Sequence, residues 1–162
     1  MVSGAPLSAF ETDLGRIGAL ICYDCEFPVL ASTLAADVLL VPSCTEAHAG
    51  MSRVQIGSRA RALEGQCYVA HAPLVGAVEH CELVDNNTGQ AGIYGPPDTG
   101  FPEDGVVAAG ESDSPGWVLA DFEPEAMIKT RQQGAVAPLA HGTEAKACGQ
   151  KAVHRPLSQK HP

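Results

Sequence analysis

Aromatic residues are scarce: four Phe, three Tyr and one Trp make up 5% of the 162 residues. The interior must be filled by small and branched aliphatic side chains, and stacking platforms for single-stranded nucleic acid have little to build on. Basic residues are also few, 10 Lys+Arg against 19 Asp+Glu, for a net charge of −9. That argues against binding to nucleic acid or to an anionic membrane, since both depend on basic patches. No apolar run approaches the ~20 residues of a membrane-spanning helix. The start, Met1-Val2-Ser3-Gly4-Ala5-Pro6, lacks a basic region followed by an apolar stretch, so no secretion signal is expected. Six cysteines are too few for a disulfide scaffold, and reduced thiols in a cytoplasmic protein are the expectation. Charged residues make up only 18% against 45% hydrophobic, which excludes a highly charged disordered chain.

What is present is a layered pattern. Residues 16–22 are a short, mostly apolar run preceded by Asp13-Leu14-Gly15, the pattern of a strand buried on both faces. Pro28 then suits a first helical turn, with Asp24 as its expected cap and Leu30 and Leu34 sharing a face. Residues 37–42 are a second buried-type strand, which makes a parallel βαβ unit. A polar loop over 43–50, a helix over 51–66 and a strand over 67–75 follow. The order β-α-β-α-β predicts an α/β sheet. Beyond it lie turn clusters at 85–89 and 95–100. Short strands are expected at 91–94, 106–109 and 117–122, and a last helix from Glu123. Charge divides the chain: residues 1–133 carry 6 basic against 18 acidic side chains, residues 134–162 carry 4 against 1. The segment 135–162 reads as a basic, flexible tail without periodicity.

The sharpest chemical feature is Cys22, at the end of the first parallel strand and just before a helix. A thiol there stands at the carboxyl edge of the sheet, where open α/β folds bind ligands. Backbone N–H groups of the following turn favour thiolate and are placed to hold an oxyanion. This is a nucleophile elbow with Cys in place of Ser. The bland alternative is a buried small hydrophobe. Likewise Glu64 reads as a structural partner of Arg59 or Arg61, and His71, on an apolar strand, as a hydrogen-bonded core histidine.

Gly15-Arg16-Ile17-Gly18-Ala19-Leu20-Ile21-Cys22-Tyr23-Asp24-Cys25-Glu26-Phe27-Pro28 resembles the nucleophile segment of the nitrilase, or carbon–nitrogen hydrolase, superfamily. Segments 36–43, 59–69, 93–96 and 116–122 resemble its later strands and helix, in order, so the likeness covers 8 to about 134. It implies an α-β-β-α sandwich with a mixed sheet, usually dimeric, acting without a cofactor or metal on small amides, carbamoyl compounds or nitriles through a cysteine thioester. By this resemblance Cys22 matches the nucleophile and the Tyr23 backbone N–H an oxyanion donor. Glu26, Cys44 and Thr45 are candidate substrate contacts, Glu26 favouring a neutral or cationic substrate, and His48 is a candidate proton relay.

The family's base glutamate and its lysine precede the cysteine. Here only 21 residues do, their carboxylates are Glu11 and Asp13, and no lysine occurs before Lys129. Glu11 falls in the strand that enters the nucleophile segment and does not match the base. Residues 1–134 are therefore expected to be the carboxyl-terminal half of the family's fold, with helices on one face of the sheet, weakly active or inactive alone. Two other readings stand beside this one. Cys22-Tyr23-Asp24-Cys25 is a C-x-x-C at a strand–helix junction, as in thioredoxin-like redox proteins. A non-catalytic partner subunit is the third, since an uncovered sheet face invites association. Zinc lacks a second ligand pair at suitable spacing.

Overall fold

The computed structural model describes residues 6–81 and 84–153. Strands β1 (Ala9–Thr12) and β2 (Gly15–Ala19) form a hairpin. Its tight turn needs Gly15 at φ +99°, where an added Cβ would lie 2.7 Å from the Asp37 carboxylate. A 3-10 turn (Cys22–Glu26) and helix α1 (Pro28–Leu34) lead to β3 (Val38–Ser43). Helix α2 (His48–Gly65) then leads to β4 (Tyr68–Pro73). Strands β2, β3 and β4 run parallel, as the βαβ pattern requires. Two-residue strands β5 (Gly76–Ala77) and β6 (Asn86–Asn87) pair with each other. Strands β7 (Gly92–Tyr94) and β8 (Val106–Ala109) extend the main sheet antiparallel, giving the order β1-β2-β3-β4-β7-β8. Helices α3 (Pro124–Gln133) and α4 (Pro138–Gly149) follow.

The mixed sheet is two-sided in character. Leu39 and Val41 of β3 and Val69 of β4 join Leu34 of α1 and Val54 and Ala62 of α2 in the buried core. Alternation turns the intervening residues to the other face. Registers there align Ala19, Leu40, Ala70, Ile93 and Ala108 in one row, and Phe10, Ile17, Val38 and Tyr68 in the next. That face is apolar yet open: Leu40 keeps 42% and Phe10 64% of its surface exposed. Among the described residues one end is covered, where Phe101 and Phe122 pack on Tyr68 at ring distances of 5.2 and 4.9 Å.

A polar clamp fixes α3 beneath the strand ends. Arg131 donates to Asp37 Oδ1 at 2.6 Å and to the Gln66 carbonyl at 2.9 Å, and the Arg16 N–H donates to Asp37 Oδ2 at 2.8 Å. Burial alone would raise the Asp37 carboxyl, but the Arg16 N–H and the Arg131 guanidinium outweigh it and hold the group below its ordinary range.

Several expectations need correcting. Residues 117–122 are not a strand: Trp117 and Leu119 stand almost fully exposed, because no strand among the described residues supplies their ladder partners. The segment after Gly134 is not featureless, since Pro138 starts α4 and Leu139 turns toward a cavity shared with α1 and α2. Positions 154–162 of the expected tail lie outside the described residues. Helix α2 starts at His48, so the loop read over 43–50 is shorter than expected. Asp24 caps the 3-10 turn, not α1: its carboxylate accepts from the Ile21 N–H at 3.1 Å, while the α1 cap position is Phe27.

Candidate active site

Strand β2 gives way to an extended Ile21, and Cys22 then adopts φ +49°, the left-handed region that a side chain other than glycine rarely takes. The Asp24 N–H closes the turn on the Ile21 carbonyl at 3.0 Å, and the Phe27 N–H closes the next on Asp24 at 3.1 Å. The sharp reversal places Cys22 just past the carboxyl end of β2, half-buried and packed in part against the core. Such locally strained turns mark functional positions when surrounding bonds hold them. The Tyr23 N–H precedes the first bond of the turn, which the Asp24 N–H makes, so the turn does not use it. The Tyr23 ring is exposed and sits edge-on to Phe27.

Around this turn the structure separates the two cysteines of the C-x-x-C. The Cys22 Sγ–H points at the Cys44 carbonyl at 3.5 Å. Cys25 is fully buried under α2, its sulfur 3.8 Å from the Val54 carbonyl, and burial pushes its thiol up to about 11. Arg61 of α2 locks the same turn by donating to the Cys25 carbonyl at 2.9 Å, while it pairs with Glu64 as expected. Glu26 is ion-paired with Arg53 at 3.2 Å.

The loop after β3 joins Cys22 to a second polar group. The Cys44 thiol donates to Asn87 Oδ1 at 2.9 Å, and the Asn87 amide donates to the Val84 and Gly76 carbonyls. Burial raises the Cys44 thiol above its ordinary value, with nearby Cys22, Glu46 and Cys81 adding to the effect. Thr45 and Thr88 exchange bonds, hydroxyl to carbonyl and N–H to carbonyl, both at 2.8 Å. The Thr88 hydroxyl donates to Asp113 Oδ1 at 2.5 Å and lies 3.3 Å from His48 Nδ1. With the Thr88 proton committed to Asp113, its oxygen is left to accept from His48 Nδ1–H. The Thr88 hydroxyl and the Gly89 N–H hold the Asp113 carboxyl below its usual range. Glu46, His48, Asn87, Thr88 and Asp113 line an open cavity here.

The fold brings Cys22, Cys44, Thr45 and His48, the candidates read from the sequence, to one sheet edge. Asn87, Thr88 and Asp113 were not singled out from the sequence. Asn87 bonds to Cys44, Thr88 to Thr45 and Asp113 to Thr88; Asn87 and Thr88 lie in a turn cluster, and Asp113 carried no signal. Asp113 itself sits at φ +56°. His71 is the buried histidine expected, 2.8 Å from Ser43 Oγ, and burial depresses it to about 4. Among the described residues no cluster of His, Cys, Asp and Glu is arranged to hold a metal, and no helix is long and apolar enough to cross a membrane.

Residues 2–132 match the family described as carbon-nitrogen hydrolase. The chain belongs to that family. Two curated relatives of this hydrolase family are a probable hydrolase, YhcX, of Bacillus subtilis and a deaminated glutathione amidase of Synechocystis. YhcX is 37% identical over 140 residues, covering 85% of this chain and 27% of that protein. The amidase is 35% identical over 123 residues, covering 74% of this chain and 41% of that protein. The chain therefore spans well under half the length of these relatives. Its fold is that of Nit3 of Saccharomyces cerevisiae, a member of the nitrilase superfamily, at a TM-score of 0.66 and 24% identity over 82% of this chain and 46% of that one. The likenesses point to this hydrolase family and lend no support to a thioredoxin-like reading.

Proposed function

We propose that this chain is the nucleophile-bearing, carboxyl-terminal half of a carbon–nitrogen hydrolase acting on small amides, carbamoyl compounds or nitriles. The observation that carries the reading is Cys22 at φ +49°, in the turn that follows the carboxyl end of β2 inside the family-matching segment. In the proposed reaction the Cys22 thiolate adds to the amide carbon, and the oxyanion is held by the Tyr23 N–H. Collapse expels the amine and leaves a thioester, which water then hydrolyses. Cys44 and Thr45 form the wall beside the sulfur. His48 relays protons through its Nε2, with Nδ1 fixed by Thr88 and Asp113. Glu26, tempered by Arg53, biases the entrance toward neutral or cationic groups.

The general-base glutamate and the lysine come from residues outside this chain. Two features support that division: among the described residues the Cys22 thiol bonds to the Cys44 carbonyl rather than to a base, and one sheet face is apolar and open. We further propose that residues 1–134 form this half-domain, that 135–162 append to it, and that the open face is covered in a homodimer or by the complementary half.

The test is amide hydrolysis by the chain alone and after mixing with the amino-terminal part of YhcX, with Cys22→Ala as control. Turnover that appears only in the mixture and disappears in Cys22→Ala supports the reading. Turnover by the chain alone at ordinary enzyme rates, or activity that survives Cys22→Ala, overturns it.

A further inference from the structure

Cys22 and Cys44 lie half-buried at the sheet edge, with half-buried Cys81 near Cys44, and the proposed hydrolysis uses one of them as nucleophile. We propose that Cys22 and Cys44 are a peroxide-sensitive pair, in which Cys44 captures oxidised Cys22 as an intrachain disulfide. The inference requires only a reactive thiol at Cys22 and does not depend on amide hydrolysis.

Placement comes first. Strands β2 and β3 are parallel neighbours in register from Ile17↔Val38 to Ala19↔Leu40, and the Leu20 N–H extends the ladder to the Leu40 carbonyl at 3.0 Å. Cys22 follows three residues beyond Ala19, in the turn after β2, and Cys44 follows four beyond Leu40, just past the end of β3 at Ser43. Neighbouring strands lie about 4.8 Å apart. A disulfide spans roughly 4.4–6.8 Å between Cα atoms, so segments that follow neighbouring strands are on the scale it can join. The Cys22 sulfur already touches the peptide of Cys44, 3.5 Å from its carbonyl oxygen. Rotation about the Cys44 side chain, releasing its bond to Asn87 Oδ1, carries one sulfur toward the other.

The competing partners are less well placed. Cys25 is three residues from Cys22, but its sulfur lies under α2 beside the Val54 carbonyl, and its backbone is pinned by Arg61. Turning it toward Cys22 would break the turn that gives Cys22 its exposure. Cys81 lies near enough to influence the Cys44 thiol, yet it follows β5 and no strand carries it beside β2.

The chemistry balances with hydrogen peroxide as oxidant. The Cys22 thiolate attacks one peroxide oxygen, the O–O bond breaks, and protonation of the leaving hydroxide gives sulfenic acid and one water. The Cys44 sulfur then attacks the Cys22 sulfur, the S–O bond breaks, and the departing hydroxide takes the Cys44 proton as a second water. Peroxide gains two electrons and the two sulfurs lose one each. While the bond lasts the nucleophile is masked, and it is spared oxidation to the irreversible sulfinic acid.

The full 162-residue chain is treated with hydrogen peroxide, alkylated, digested and mapped by mass spectrometry. The expected product is a Cys22–Cys44 linked peptide, lost on treatment with dithiothreitol and retained in Cys25→Ser and Cys81→Ser. Cys44→Ser keeps a hydroxyl to donate to Asn87, so the loop retains its bond. In that variant the linked peptide is lost and Cys22 accumulates as sulfinic acid. A Cys22–Cys25 or Cys22–Cys81 link, or Cys22 sulfinic acid in the unsubstituted chain without a link, overturns the proposal.

Discussion

Asp37→Asn tests whether the clamp beneath β3 holds the sheet edge together. The carboxylate accepts from two donors on different elements, the Arg16 N–H at 2.8 Å and Arg131 at 2.6 Å. An asparagine has one acceptor oxygen, so its NH2 group must face one of those donors. A hydrogen bond to a charged group contributes about 1.5–3 kcal/mol. Both side chains of the pair keep 23% exposure, which weakens the interaction, so a loss of about 2 kcal/mol is expected. For a chain of this length that lowers Tm by about 4–8 °C. Urea unfolding followed by far-ultraviolet circular dichroism is the suitable assay, because Trp117 is too exposed to report on packing. A double-mutant cycle with Arg131→Met should return about 1–2 kcal/mol of coupling. The carboxyl lies below its ordinary value in the fold, so its contribution is full above the unfolded pKa near 3.9 and disappears as pH falls through the folded one. If Asp37→Asn costs under about 0.5 kcal/mol at pH 7, or the cycle shows no coupling, the clamp does not hold the fold as argued.

Cys22→Gly should be more stable than Cys22→Ala by about 1 kcal/mol in the same assay, because only the alanine keeps the left-handed penalty at φ +49°. Equal stabilities would show that the turn relaxes. Iodoacetamide at pH 8 should label Cys22 and Cys148 in the folded chain, while Cys25 and Cys67, buried and pushed up to about 11 and 12, react only on unfolding. Peptide mapping reads this directly. His71 is held near 4, so the fold should lose stability as pH falls from about 6.5 toward 4, by up to roughly 3 kcal/mol, and His71→Gln should flatten that slope. Leu40→Glu, on the open face, should change monomer stability by less than about 0.5 kcal/mol and abolish concentration-dependent sedimentation.

Much of this was legible locally. The apolar runs around Ile17, Leu39 and Val69 identify three buried strands, and the intervening lengths demand parallel crossovers. Those two facts place Cys22, Cys44, Thr45 and His48 at one edge from residue order alone. Pro28 and Pro124 mark helix starts because a missing N–H costs nothing there. The pattern at 117–122 misled, since alternation describes a strand's faces and not whether a partner exists. The tail misled in the opposite way: α4 has no apolar stripe, so nothing in its periodicity announces it.

Residue order by itself determined the α/β layering, the chain's family and the nucleophile candidate, because each depends on short-range spacing and identity. Tertiary structure alone decided the rest. The left-handed backbone at Cys22 is set by the bonds of Asp24 and Arg61 around it. The chain His48–Thr88–Asp113 joins residues 40 and 25 positions apart. The division between Cys25, buried under α2, and Cys44, beside the nucleophile, is likewise long-range. Such contacts follow from how the elements stack, and no local periodicity encodes which side chains the stacking brings within hydrogen-bond reach.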